Sequence, residues 1–184
     1  AANYNTGLGI DIFAALTTGD NNVATGFQAL NANTTGNHNT AVGKDAMLLN
    51  TTGAANAAFG YLALDANTTA NGNTAIGYFS TSANTTGADN TALGAASFLS
   101  NTTGDYNVAI GTAALDANTT ADSNVAVGHN ALGANTTGTL NSAVGSSALA
   151  ANTTANSNTA IGDIALTANT TGAANVAVGR NAFG

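Results

Sequence analysis

The sequence predicts an all-β chain: a β-solenoid, or parallel β-roll, of about eleven 17-residue coils with two short strands in each. Three observations carry this expectation. Asn recurs every 17 residues from Asn5 to Asn175, with no insertion or deletion. Gly follows four residues after each of these Asn, from Gly9 to Gly179. Asn-Thr-Thr clusters then separate two short stretches rich in Val, Ile, Leu and Ala. A unit of fixed length means that each coil stacks on the last, because one inserted residue would shift every column. Gly and Asn-Thr-Thr also interrupt the chain too often for helices of useful length.

Composition narrows the function. Only 6% of the 184 residues are charged, against about 25% in an ordinary domain. Lys44 and Arg180 are the only basic side chains beside nine Asp, for a net charge of −7. Two cations cannot neutralise a phosphate backbone, so nucleic acid is excluded as a partner. The absence of Cys excludes disulfides, thiolate metal sites and cysteine catalysis. No apolar run is long enough to insert in a membrane as a helix. The 44% apolar fraction argues against ordinary disorder.

The organisation is a single repeat domain over 1–184: a lead-in (1–4), ten full coils (5–174) and a partial coil (175–184). The consensus reads Asn, Thr or Val, Ala, aliphatic, Gly, two variable residues, Ala, Leu, variable, Ala, Asn, Thr, Thr, Gly or Ala, and two more variable residues. Positions 1 to 17 below count from the recurring Asn.

Positions 2–4, such as Thr40-Ala41-Val42, form the first expected strand. Position 4 is apolar in all but Thr25, and position 9 in all but Thr81. Side chains of a strand alternate. Positions 4 and 9 are therefore expected inside, as facing apolar ladders, with Ala of positions 3 and 8 outside. Two explanations of those Ala columns stay open: a coil too narrow for larger residues, or faces that pack on sister chains. The position-1 Asn is read as a ladder of amides bonded coil to coil. Asn-Thr-Thr-Gly at positions 12–15 is read as a turn. Its Asn residues, Asn33, Asn50, Asn67, Asn84, Asn101, Asn118, Asn135, Asn152 and Asn169, each precede Thr-Thr. They are therefore also candidate N-glycosylation sites.

Position 6 changes along the chain, from Ile10, Phe27, Lys44, Tyr61 and Tyr78 to Thr112, His129, Ser146, Asp163 and Arg180. Leu62 and Phe79 stand beside it. If position 6 lies outside, Ile10, Phe27, Tyr61, Tyr78, Leu62 and Phe79 form a sticky assembly stripe. If inside, they fill a wider part of the core. The lead-in and the partial coil together make nearly one coil, so two readings stay open: head-to-tail stacking that continues the ladder, or a piece of a longer repeat protein.

No catalytic constellation emerges. His38 and His129 fall in different columns, and the nine Asp are scattered. Asp65 and Asp116 share position 10 but are three coils apart, about 14 Å at strand spacing. No phosphate loop, His-x-x-x-His or calcium-repeat pattern occurs. No enzyme activity, cofactor or metal is expected.

Asn-Thr-Ala-Val-Gly (39–43), Asn-Thr-Ala-Ile-Gly (73–77 and 158–162) and Asn-Val-Ala-Val-Gly (124–128 and 175–179) resemble the head repeats of trimeric autotransporter adhesins. The longer unit, with its Asn-Thr-Thr-Gly, resembles 17-residue repeats of phage tail-fibre-like and bacterial surface proteins. The resemblance spans nearly the whole chain. It implies a β-roll, commonly trimeric, in an extracellular adhesive or fibrous protein, with aliphatic residues lining each roll and Gly at its tight turn.

The expected function is therefore structural: an extracellular solenoid subunit that assembles with itself end to end, and also laterally, into a fibre or surface filament. The alternative is an adhesin or tail-fibre head that binds a host glycan or protein as a trimer. An ice-binding solenoid ranks below both, because adjacent Thr-Thr side chains would point to opposite faces of a strand.

Overall fold

The computed structural model describes residues 1–183. Coil 1 begins at Asn5, coil 2 at Asn22, and so on to coil 11 at Asn175. Each contributes one three-residue strand. These are β1 (Thr6–Leu8), β2 (Val23–Thr25), β3 (Thr40–Val42), β4 (Ala57–Phe59), β5 (Thr74–Ile76), β6 (Thr91–Leu93), β7 (Val108–Ile110), β8 (Val125–Val127), β9 (Ser142–Val144), β10 (Thr159–Ile161) and β11 (Val176–Val178). They form one parallel sheet in chain order. Register is set by the repeat: Ala41 pairs with Ala58, and Ala58 with Ala75, each 17 residues on. The chain is thus a β-solenoid.

The second expected strand is not a strand. Positions 6–11 form a run of turns, with positions 7 and 9 in left-handed conformation, as at Gln28 (φ 56°) and Leu30 (φ 50°). This segment still bonds coil to coil: Leu30 N–H donates to Ala46 O at 3.1 Å, and Leu64 N–H to Ser80 O at 3.0 Å. Left-handed backbone at ordinary residues costs about 1 kcal/mol each, and here the ladder of hydrogen bonds holds it in place. The physical effect is to break strict alternation. Position 8 and position 9 side chains both turn inward, as Ala29 and Leu30 do, both fully buried.

The assignment of faces is therefore corrected at three positions and kept at one. Position 9 is inside: Leu30, Met47, Leu64, Phe98, Leu115, Leu132 and Leu149 are fully buried. Position 8 is inside rather than outside. Position 3 is also inside, with Ala24, Ala41, Ala58, Ala75 and their successors fully or almost fully buried. Position 4 is outside. The cause is the narrow coil. Leu at position 9 fills the width, so the strand opposite can offer only a methyl group if the interior is to pack at normal density.

Gly at position 5 makes the turn out of each strand. Gly43 has φ 140°, and a Cβ there would lie 2.7 Å from the carbonyl carbon of Gly60. Neither the conformation nor the contact tolerates a side chain.

The apolar core is divided in two. One cluster runs from Ala24 to Ala75, with Ile12 and Phe13 packed on it, and the other from Ala92 to Ala177. Between them position 8 holds Ser80 and Ser97, whose hydroxyls lie 3.1 Å apart, and position 9 holds Thr81.

Candidate functional site

The strand geometry that buries position 3 turns positions 2 and 4 to the exterior of the same sheet. Position 2 carries Thr, Val, Ala or Ser, and position 4 is mostly aliphatic. Ile76 is 38% exposed, and Leu93 and Ile161 are each 44% exposed, while Phe59 stands out at 40%. The outer face of the eleven-stranded sheet is consequently uncharged at positions 2 and 4, with an apolar column at position 4 beside a position-2 column that is Thr or Ser in six coils. At strand spacing it measures about 48 Å by about 10 Å, or roughly 500 Å², the size of the largest patch on a monomer, which is often functional.

The sequence pattern hides this face, because alternation from the apolar columns puts position 4 inside. A signal was present. Position 3 is Ala in ten of eleven coils, whereas position 4 ranges from Thr25 to Phe59. An inner column opposite Leu must keep its volume constant, and an outer one need not.

Beside the strip, past the Gly turn, position 6 also points outward. Ile10 and Tyr78 are exposed, as are Phe27 and Tyr61, while Leu62 and Phe79 of position 7 are half-buried. The stripe is thus on the surface and does not widen the core. Its middle is a packed aromatic cluster. Tyr61 and Tyr78 stack at 5.6 Å between centroids, and Phe79 meets Tyr78 edge-on at 4.5 Å and Tyr61 at 5.5 Å. Lys44 Nζ sits between Phe27 and Tyr61, 5.6 and 5.2 Å from their centroids, and pairs with Asp45 Oδ2 at 2.5 Å. That bond to Asp45 pushes the ammonium pKa up. The other cation, Arg180, lies 3.3 Å from Asp163 in the same column one coil away.

The two Asn columns are structural ladders. Asn39 Nδ2 donates to Gly53 O, and its Oδ1 accepts the backbone N–H of Asn56 at 3.0 Å. In the second column Asn50 Nδ2 donates to Gly53 O of its own turn and to Asn33 Oδ1 of the coil before. From Asn33 to Asn152 the position-12 Asn are fully buried. A glycan needs its Asn amide in solvent. In the folded coil the amides of Asn33, Asn50, Asn67, Asn84, Asn101, Asn118, Asn135 and Asn152 are turned into the ladder and away from solvent. Asn169, in the last full coil, is half-buried and bonded to Asn152 Oδ1 and Gly172 O. The adjacent Thr residues divide their roles. Position-13 hydroxyls donate to the next coil's Thr carbonyl, as Thr34 Oγ1 does to Thr51 O at 2.9 Å. Position-14 Thr, such as Thr35 and Thr52, are exposed.

His38 lies near Asn21, with 3.5 Å between Nε2 and Nδ2, and His129 is exposed on a distant coil. Among the described residues no group of three or more His, Asp or Glu is placed to hold a metal ion. No helix among them is long and apolar enough to cross a membrane. Two carboxyls of position 10 are perturbed. Burial raises the pKa of Asp65 to about 6, with Asp45 adding to the rise, and burial also raises that of Asp116.

Comparison of the chain with protein-family models, with curated proteins and with solved structures finds no match.

Proposed function

We propose that this chain is a structural, self-assembling solenoid: a stiff rod whose copies associate laterally through the outer face of the sheet and build an extracellular fibre or surface filament. The observation that carries the reading is the uncharged outer face of positions 2 and 4, whose apolar position-4 column runs the length of the sheet. Burying it against a second copy removes from water an apolar column that folding leaves exposed. The repeat supports the same reading along the axis, because any further coil, of this chain or another copy, continues the ladder unchanged. The extracellular location rests on the resemblance of the Asn-Thr-Ala-Val-Gly motifs to surface-protein repeats.

The test is the sedimentation of the chain beside an Ile76→Asp, Leu93→Asp double variant. The wild type is expected as an oligomer and the variant as a monomer with unchanged circular dichroism. A wild type that stays monomeric at high micromolar concentration would sink the proposal.

A second reading, a head that binds glycan or protein, draws on the aromatic cluster of Phe27, Tyr61, Tyr78 and Phe79. Exposed rings beside an ammonium suit stacking on a partner. It predicts retention on a glycan array that is lost in Tyr78→Ala.

A further inference from the structure

A position-10 side chain reaches back to the position-7 carbonyl of the preceding coil. Asn31 Nδ2 donates to Asp11 O at 2.7 Å, and Thr167 Oγ1 donates to Ser147 O at 3.1 Å. Asp65 occupies this position in coil 4, and the residue it overlies in coil 3 is Asp45. Where Asn31 and Thr167 bring a hydrogen-bond donor, an ionised Asp65 brings only acceptors. Two carboxylate oxygens are left buried without a partner, Asp65 Oδ1 and Asp45 Oδ1. Asp45 is 7% exposed, and its other oxygen is taken by Lys44 Nζ.

We propose that a single proton, taken from solvent onto Asp65, bridges Asp65 Oδ1 to Asp45 Oδ1 and fastens coil 4 to coil 3 under mildly acidic conditions. One proton satisfies both orphaned oxygens, as two carboxyls forced together commonly do. Lys44 on Asp45 Oδ2 makes Asp45 the accepting half. A calcium ion would need six to eight oxygens, more than this notch presents. The charged and titratable groups around the pair are Lys44 in coil 3 and Tyr61 in coil 4, while coil 5 presents Phe79 and Ser82 at the matching positions. The raised pKa of Asp65 agrees with the geometry. A carboxyl whose folded pKa lies above its unfolded value binds its proton more tightly in the fold, so stability falls as pH rises through that window. The rod therefore loosens between coils 3 and 4 as the medium becomes neutral.

The experiment is thermal unfolding at about pH 5 and about pH 7.5, in an Asp116→Asn parent so that Asp116 adds no pH dependence. The parent is expected to melt higher in acid. Asp65→Asn, whose amide is a permanent donor, is expected to remove most of that difference and to melt above the parent at neutral pH. A full pH difference retained in Asp65→Asn overturns the proposal. So does a rise in the parent's midpoint on adding calcium at neutral pH that Asp65→Asn abolishes, because the oxygens then hold a metal. A direct readout is the carboxyl-carbon NMR shift of Asp65 against pH. Titration in the ordinary carboxylate range would also overturn the bridge.

Discussion

Asn67 Nδ2 donates to Asn50 Oδ1 across 2.7 Å, from one coil to the coil before it. The same amide also serves its own turn at Ala70 O. Each Asn of the column is therefore at once a turn closure and a rung. Replacing Asn67 by Ala leaves Asn50 Oδ1 buried and unpaired and takes from Asn84 Nδ2 one of its two acceptors, while Ala70 O keeps the Asn56 amide. A loss of about 2–4 kcal/mol is expected, read as a lower denaturant midpoint. A loss under about 0.5 kcal/mol, the size of an ordinary surface change, would mean that the rungs do not matter.

Gly77 is expected to accept no side chain. Its φ is 140°, and an added Cβ would meet the Gly94 carbonyl carbon at 2.6 Å. Gly77→Ala should separate coils 5 and 6 and cost several kcal/mol. Circular dichroism and proteolysis of the purified variant measure this directly.

Thr81 offers the opposite case. Its hydroxyl is buried and unpartnered in a column otherwise filled by Leu, Met and Phe. Thr81→Val keeps the shape and removes the orphan. A gain of about 1 kcal/mol is expected, and a destabilised variant would show that the hydroxyl has a role in folding.

The Tyr61→Ser, Tyr78→Ser double change removes rings that lie on the surface. It should leave the melting curve nearly unchanged, and sedimentation decides which surface joins copies: unchanged association fits the sheet face, and weakened association moves the contact to this stripe. Loss of folded structure would instead mean that the cluster is a core.

Asp116 gives a pH prediction independent of Asp45. Burial raises its pKa, so the fold prefers it protonated and stability declines as pH rises above the ordinary carboxylate range. Asp116→Asn should therefore be more stable than wild type at neutral pH and equal to it in acid. Matched urea melts at the two pH values decide it.

The coil architecture was legible because its cause is in the spacing: an invariant 17 forces stacking, and Gly at position 5 forces a turn. The Asn ladders were legible for the same reason. Which way side chains face was not. Alternation is a property of strands, and positions 7 and 9 leave strand conformation at residues such as Gln28 and Leu30 that nothing in their chemistry marks as left-handed. That local inversion brings Ala29 inward beside Leu30. The burial of the position-12 Asn was hidden for a related reason, since Asn33 and its successors look like surface-turn residues while their amides point into the ladder.

The bonds from coil to coil run along the rod. Val23 N–H to Asn39 O and Thr34 N–H to Thr51 O both join successive coils. A pull on the two ends therefore loads these bonds one coil at a time, as a zipper does, instead of shearing many at once. Each coil that yields converts a rise of about 4.8 Å into a tether of about 55 Å. Stretched under flow or by an attached load, the protein would lengthen in equal steps at a nearly constant force, and re-form as the tension falls.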